Sequence, residues 1–274
     1  MKAIISHDID HLSVSEHLLR DMIVPKHLVR NHIELFLGKI SAPEYLGRWK
    51  ELGQNKWQNI LELIRFNAAH AIPSQFFIAV NKGIGLNYPL AAAGQWIELL
   101  RSQHCELGLH GIAYNRPEDI KEEYDRFQAL SKLGKFGIRM HYVRQDRNTF
   151  RMLEQCGYAF DSTEHAFKNP YQIGEMWEFP IQIMDGWIIE NHKGWQDRSL
   201  KEAREHTLAL IAQARNKNLE YLNIVFHDRY FSSSYRTWMD WYTWLVEYLQ
   251  EQQIPVLSFK AAVQELESVR VEKH

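Results

Sequence analysis

Short β-type runs alternate with longer helical stretches along most of the chain, and this alternation constrains the fold more than any other feature. Parallel strands need crossover connections, so the pattern is typical of a parallel sheet covered by helices. The predicted strands are Lys2–Ser6, Gln75–Val80, Cys105–Leu109, Phe136–Met140, Tyr158–Phe160, Trp177–Met184, Tyr221–Phe226 and Pro255–Phe259. The predicted helices are Trp57–Ala69, Leu90–Ser102, Pro117–Leu133, Asn148–Cys156, Leu200–Asn216 and Arg236–Gln252. We therefore predict an α/β fold, an irregular (β/α) barrel of seven to eight strands, with residues 1–274 in a single domain.

Residues 11–50 do not follow the alternation and are predicted as a helical insertion after the first strand. They contain one or two amphipathic helices split near Pro25, with apolar positions at Leu18, Leu19, Met22 and Ile23 in the first part. An insertion at this point lies over the carboxyl ends of the strands, where loops usually shape the substrate site. It is either a packing addition, or a lid or homodimer surface.

The composition argues against several classes of function. The chain has 32 basic and 34 acidic residues, interleaved, and a net charge of −2, so it offers no basic surface for nucleic acid. No apolar run approaches the ~20 residues of a membrane span, and charges interrupt the amino terminus before a signal-peptide core, so we expect no membrane span and a cytoplasmic location. Cys105 and Cys156 are expected to be free, buried thiols.

The segment Ser6–His11 places Asp8 and Asp10 at the end of the first strand. Alternate residues of an extended chain point to the same side, and two neighbouring carboxylates repel each other unless a cation or separate acid–base roles keep them apart. Taken alone, the segment is more typical of an acidic turn that caps the next helix, with Asp10 or Ser13 as the N-cap.

Four later strand ends also carry side chains suited to catalysis. Each one alone is a modest signal, because a single histidine after a strand is more often structural. The residues are His110, Arg139 with His141, Asp185, and His227. Since barrel enzymes keep their chemistry at the carboxyl ends of the strands, these residues together predict an active site there, with Arg139 paired to Asp8.

These motifs resemble those of the polysaccharide deacetylase (NodB-homology) family, in a divergent branch with an Asp-x-Asp first motif. The resemblance runs from Ile4 to Phe259, with residues 11–50 as the main addition. The matching segments are Ser6–His11, Pro73–Ala79, Glu106–His110, Arg139–Arg144, Pro180–Asp185 and Ile224–His227.

The resemblance implies a NodB-like deacetylase barrel that removes an N-acetyl or O-acetyl group from a sugar. Asp8 would be the catalytic base, Arg139 its tether and His227 the general acid, and Asp185 is counted with these catalytic residues. Asp10 and His110 would bind a divalent metal, zinc being expected. The substrate would be an acetylated sugar or polysaccharide intermediate in surface polysaccharide biosynthesis.

The chain departs from the family at Tyr114, where a second metal-binding histidine normally lies four residues after the first. A catalytic zinc needs three protein ligands, so His141 is the predicted replacement, with His7 or His11 as alternatives. Two other functions stay open: an amidohydrolase acting on a small nitrogenous metabolite, and a carbohydrate-binding barrel without catalysis.

Overall fold

The computed structural model describes residues 1–18, 21–192 and 194–271, and these form a mostly parallel sheet covered by helices. The strands are β1 (Lys2–Ile9), β2 (Gln75–Ile78), β3 (Glu106–Gly111), β4 (Gly137–Met140), β5 (Phe160–Asp161), β6 (Tyr171–Ile173), β7 (Met176–Glu178), β8 (Ile183–Met184), β9 (Tyr221–Val225) and β10 (Val256–Leu257). Their order is β6-β7-β5-β4-β3-β2-β1-β9-β8, and β10 also pairs with β1. The β6–β7 pair is antiparallel and the other pairs are parallel.

The sheet curls because one segment, Met176 to Met184, contacts both of its ends. Its first part, β7, pairs with β5, and its last part, β8, pairs with β9. Between them the Ile181 N–H donates to the Glu164 carbonyl at 2.7 Å, and the Gln182 N–H donates to the Asn223 carbonyl at 3.1 Å. The predicted irregular (β/α) barrel is confirmed.

The predicted strand Trp177–Met184 is divided in two at Pro180, which has no N–H to donate to a strand ladder. The short strand β6 was not predicted. It forms a hairpin with β7 through Gly174, whose φ of +58° is unfavourable for residues with a side chain.

The helices are α1 (Ile23–Phe36), α2 (Ala42–Gly53), α3 (Ile60–Ala69), α4 (Leu90–Ser102), α5 (Pro117–Ser131), α6 (Thr149–Cys156), α7 (Asp185–Ile189), α8 (Leu200–Asn216), α9 (Arg236–Glu251) and α10 (Phe259–Val271). The six predicted helices correspond to α3, α4, α5, α6, α8 and α9. Two long helices, α2 and α10, were not predicted. The start of α2 carries a capping box, in which Ser41 and Glu44 each accept the other's backbone N–H.

The insertion differs in detail from its prediction. The helix expected before Pro25 is absent from the described residues, where only a short 3₁₀ turn, Val14–His17, occurs; Leu19 lies outside them. Pro25 does not split a helix but lies in the first turn of α1, where its missing N–H leaves no hydrogen bond unmade. The single domain and its insertion boundaries stay predictions.

The outer helices bury the apolar face of the sheet. Trp238 and Trp241 of α9 are fully buried, as packing residues should be. Cys105 and Cys156 are free thiols as expected, but they are half-buried and not in the core. None of the helices in the described part of the chain is long and apolar enough to cross a membrane.

Candidate active site

A cavity of about 710 Å³ opens at the carboxyl ends of the strands. Strand β1 delivers Asp8 and then Asp10, β3 delivers His110, and β4 leads into His141. Helix α7 starts at Asp185 after β8, and His227 follows β9. These residues line the cavity: Asp8, Asp10, His110, His141, Asp185 and His227.

Asp10, His110 and His141 bring three ligand atoms together at one side of the cavity. The Nε2 atom of His110 lies 3.2 Å from Asp10 Oδ1 and 3.0 Å from His141 Nδ1. The Nδ1 atom of His141 lies 3.3 Å from the same carboxylate oxygen. Ligands at ~2.0–2.1 Å from a tetrahedral zinc are about 3.3 Å apart, so these separations fit a metal site.

Backbone carbonyls fix which nitrogen of each histidine carries the proton. His110 Nδ1 donates to the Arg139 carbonyl at 3.0 Å, and His141 Nε2 donates to the Ile84 carbonyl at 3.0 Å. In the neutral rings the nitrogens that face Asp10 therefore have lone pairs and no proton. Three acceptors with no donor between them need a cation, and these residues could hold a divalent metal.

Asp10 itself is held in its ionised form. Burial would raise its pKa, but the charge and hydrogen bonds that His141 and His110 direct at Asp10 when their rings are protonated outweigh burial, and the pKa of Asp10 lies well below its ordinary value. A bound metal would take the place of those ring protons. An ionised carboxylate with two unprotonated imidazole nitrogens is a ligand set that suits zinc.

Tyr114, which occupies the position of the family's second histidine, and the alternative ligands His7 and His11 lie in different surroundings. Tyr114 stacks against Arg144, whose guanidinium carbon is 4.2 Å from the ring centre. His7 is buried in the barrel, where Nδ1 donates to the Phe226 carbonyl at 2.9 Å and burial lowers its pKa to about 4. His11 lines the cavity, but its Nδ1 lies 2.9 Å from His17 Nε2 and outside the three-ligand cluster. The geometry therefore supports His141.

Asp8 is buried beside the cluster and is held by Arg139. Arg139 Nη1 donates to Asp8 Oδ1 at 2.8 Å, and the same guanidinium donates to Ser6 Oγ at 2.8 Å and to Ser162 Oγ at 2.9 Å. Burial would raise the pKa of Asp8, but Arg139, followed by His110 and His227, outweighs burial and lowers it. Asp8 is therefore an oriented, ionised carboxylate.

His227 and Asp185 form a second acid–base pair across the cavity. Asp185 accepts twice, from His227 Nδ1 at 2.8 Å and from the His227 backbone N–H at 2.7 Å. Burial would lower the pKa of His227, but Asp185, Asp10 and Asp8 outweigh burial and raise it well above its ordinary value. The Nε2 atom of His227 lies 3.7 Å from Asp10 Oδ2, so the proton-bearing ring reaches the cluster.

No protein-family profile and no curated protein matches the chain, but solved structures do. A protein from Mycobacterium smegmatis that is assigned as a polysaccharide deacetylase aligns over 98% of this chain and 91% of its own, with a TM-score of 0.64 and 11% identity. A mutant of a CE4-family pseudoenzyme from Bacillus anthracis, in which activity was restored, covers 96% of this chain and 67% of its own at a TM-score of 0.50 and 9% identity. The chain has the fold of the polysaccharide deacetylases.

A third similar structure, from Bordetella bronchiseptica, is assigned as a polysaccharide deacetylase involved in O-antigen biosynthesis. It aligns over 87% of this chain and 77% of its own at 14% identity, but its TM-score of 0.43 supports no conclusion.

On this polysaccharide-deacetylase fold, six of the seven residues predicted from the sequence line one cavity, and the seventh, Arg139, is paired with Asp8. The predicted set is Asp8, Asp10, His110, Arg139, His141, Asp185 and His227. Sequence reasoning assigned no role to Ser162, whose backbone carbonyl accepts from Arg139 Nε, or to the carbonyl of Ile84. It also missed Arg229, although that residue follows His227 by only two positions and lines the cavity.

Proposed function

We propose that this protein is a metal-dependent deacetylase that hydrolyses an N-acetyl or O-acetyl group of a sugar. One observation carries the proposal: an ionised carboxylate, Asp8, and a proton-bearing histidine, His227, flank the same three-acceptor cluster. Hydrolysis of an amide or ester needs a base for water and an acid for the leaving group at one reacting carbon.

Asp10, His110 and His141 would hold the metal, for which we propose zinc. When bound there, the metal would polarise the acetyl carbonyl and lower the pKa of water. Three protein ligands would leave room for water or substrate at the metal, as in catalytic sites.

Asp8 acts as the general base. It accepts a proton from the water molecule that attacks the acetyl carbonyl carbon, and its ion pair with Arg139 keeps the carboxylate in one orientation. Arg139 also donates to Ser6 and Ser162, and these hydrogen bonds fix its guanidinium, which in turn holds the Asp8 carboxylate beside the cluster. Arg139 is thus a positioning residue.

His227 acts as the general acid. Its Nδ1 donates to Asp185, so Nε2 carries the proton that is delivered to the departing amine or alcohol. Asp185 is fully buried and also accepts the Gly186 N–H at 2.7 Å, which fixes the carboxylate that orients the ring. The pair keeps His227 protonated at neutral pH.

The substrate we propose is an acetylated sugar or polysaccharide intermediate, such as one used in surface polysaccharide biosynthesis, and we place the reaction in the cytoplasm. The cavity lining also contains aromatic side chains, a residue type against which sugars commonly pack, namely Trp187, Trp195 and Tyr230. The deacetylase fold of the similar structures supports the same substrate class.

The test separates chemistry from metal binding by two substitutions. Asp8→Asn removes the base and should reduce acetate release at least about 1,000-fold while the metal content stays that of the wild type. His110→Ala removes a ligand, and this variant should lose both the bound metal and the release of acetate. Elemental analysis of the purified proteins and acetate release from a panel of N- and O-acetylated sugars measure the two effects.

Equal metal content in the wild type and the His110→Ala variant would contradict the ligand assignment. A metal-loaded wild type that releases acetate from none of the sugars, but opens a small cyclic amide, would replace the deacetylase by an amidohydrolase on the same scaffold.

A further inference from the structure

Arg229 is partly buried, and it differs from the two fully buried arginines because, among the described residues, it has no carboxylate partner. Arg139 is paired with Asp8 at 2.8 Å, and Arg48 with Glu34 at 2.6 Å. Among the residues that the structure describes, no carboxylate oxygen lies within 4.0 Å of the Arg229 guanidinium, although Asp228 is its neighbour in the chain. Asp228 instead accepts the Asn59 backbone N–H at 3.1 Å.

The guanidinium of Arg229 is nevertheless held firmly in place. Its central carbon lies 4.2 Å from the centre of the Trp57 ring, and Nη2 donates to Tyr235 Oη at 2.9 Å and to His27 Nδ1 at 3.2 Å. Within the described ranges, Nε is buried without a hydrogen-bond partner, and none is found for Nη1 either. A stacked arginine with unused donors is preorganised for an acceptor that the chain itself does not provide.

Arg229 lines the same cavity as the metal cluster and the general acid. It lies in the 3₁₀ turn Asp228–Tyr230, two residues after His227, so the two Cα atoms are at most ~7 Å apart. A group bound at Arg229 would therefore belong to the sugar that carries the acetyl group or to a substituent next to it. Lys26 and Arg30 also line this cavity, Arg30 being paired there with Glu190 at 3.0 Å.

Arg229 is partly buried and its Nε is fully buried, so its charge is incompletely solvated in the free protein, and an anion delivered by the substrate offsets that cost. We propose that Arg229 binds an anionic group of the substrate, a phosphate or a carboxylate, so that the enzyme acts on charged acetylated saccharides in preference to neutral ones. This inference rests on the proposed deacetylase function for the identity of the reacting group, but the anion site itself is independent of catalysis. Phosphate and carboxylate are the two acceptors that guanidinium groups recognise best.

The experiment measures binding with sugars that have no acetyl group and cannot be hydrolysed. Glucose 1-phosphate, glucuronate and methyl glucoside are titrated into the metal-loaded protein by calorimetry or NMR. We expect at least one of the two anions to bind about 10- to 100-fold more tightly than the neutral glucoside, the value of one charge-assisted hydrogen-bonded pair. Whichever anion binds more tightly identifies the phosphate or the carboxylate as the recognised group.

Arg229→Gln should abolish this preference, and Arg229→Lys should retain only part of it because the point charge lacks the planar guanidinium. Arg204→Gln is the matched control: Arg204 also stacks on a tryptophan, at 5.3 Å from the Trp244 ring, and its Nε is likewise unpaired, but it lies on α8 outside the cavity lining. This control should bind all three sugars as the wild type does.

Equal affinity of the wild type for the anions and the neutral glucoside would overturn the anion site, whether or not Arg229→Gln folds. So would an anion preference that survives in Arg229→Gln, because the anion would then be bound by the metal. Neither result depends on acetate release, so a failure of the deacetylase proposal is seen separately in the activity panel.

Discussion

Two clusters of acceptor atoms lie near the carboxyl ends of the strands, and they differ in how the repulsion between their acceptors is relieved. At the first, Asp10, His110 and His141 meet at the cavity. At the second, Asp161 and Glu178 face each other as ladder partners on β5 and β7, both fully buried. In each cluster acceptors converge with too few donors between them.

The second cluster is neutralised by a proton. Asp161 Oδ2 and Glu178 Oε2 lack a donor among the described residues. Burial raises the pKa of Asp161 to about 6, and burial together with the charge of Asp161 raises the pKa of Glu178 well above its ordinary value. Two carboxyl groups in contact cannot both ionise, so at neutral pH they share a proton.

The first cluster keeps its carboxylate ionised, because the pKa of Asp10 is lowered and not raised. Each of its histidines donates through one ring nitrogen to the carbonyl of Arg139 or Ile84 and turns the other nitrogen toward Asp10, where a metal can replace a ring proton. It also opens to a cavity that admits an ion. This difference shows what distinguishes a metal site from a buried carboxyl pair. The histidine tautomers are fixed by hydrogen bonds and the cluster is accessible from a cavity, and these two features matter more than the number of acidic groups.

Among the changes that test the contrast between the two clusters, the largest effect should follow from removing the third ligand. His141→Ala leaves only Asp10 and His110, and we expect metal affinity to fall at least about 100-fold, with a loss of activity of similar or larger size. Competition with a chromophoric chelator measures the affinity. Tyr114→Phe is the control, because Tyr114 stacks on Arg144 and should leave metal binding unchanged. If instead Tyr114→Phe lost the metal and His141→Ala kept it, the cluster would be misassigned.

A smaller effect is expected for Asp185→Asn, which keeps the metal cluster but removes the partner of His227. Asp185 raises the pKa of His227, so without its charge this pKa falls and the proton is lost at lower pH. We expect kcat to fall about 100-fold at neutral pH, and the alkaline decline of the rate to begin at lower pH than in the wild type. A pH–rate profile measures both. An unchanged alkaline limb with normal metal content would show that His227 is not the acid.

The sequence predicted the strands that carry the site because each ends an apolar run with a polar side chain. Placing Asp8, His110, Arg139 and His227 needed only this pattern and the rule that parallel strands present their carboxyl ends together. His141 followed from strand alternation with Arg139. These parts of the site depend on local order along the chain.

The remaining parts depend on contacts between distant segments. That the carbonyl of Ile84 fixes the tautomer of His141 is a contact across 57 residues, and no spacing rule encodes it. The isolation of Arg229 is equally invisible in the sequence, because its neighbour Asp228 suggests an ion pair that the fold does not form. The start of α2 is different: Ser41 and Glu44 form a capping-box pattern that is visible in the sequence, and this helix start could have been predicted from it.

The smallest effect is on stability, and it tests the carboxyl pair directly. A carboxyl group whose pKa is raised by folding binds more protons in the folded state, so its contribution to stability is lost as pH rises above the pKa of the unfolded chain. Glu178→Gln removes that titration and gives Asp161 an amide donor. Relative to the wild type, the variant should therefore gain about 1 kcal/mol or more in free energy of unfolding between pH 5 and pH 8, measured by urea denaturation at both pH values.

Glu98→Gln, which removes the same charge from the exposed face of α4, should show no such change between the two pH values. A constant difference between Glu178→Gln and the wild type at both pH values would mean that the pair does not share a proton, and the contrast with the metal cluster would be lost.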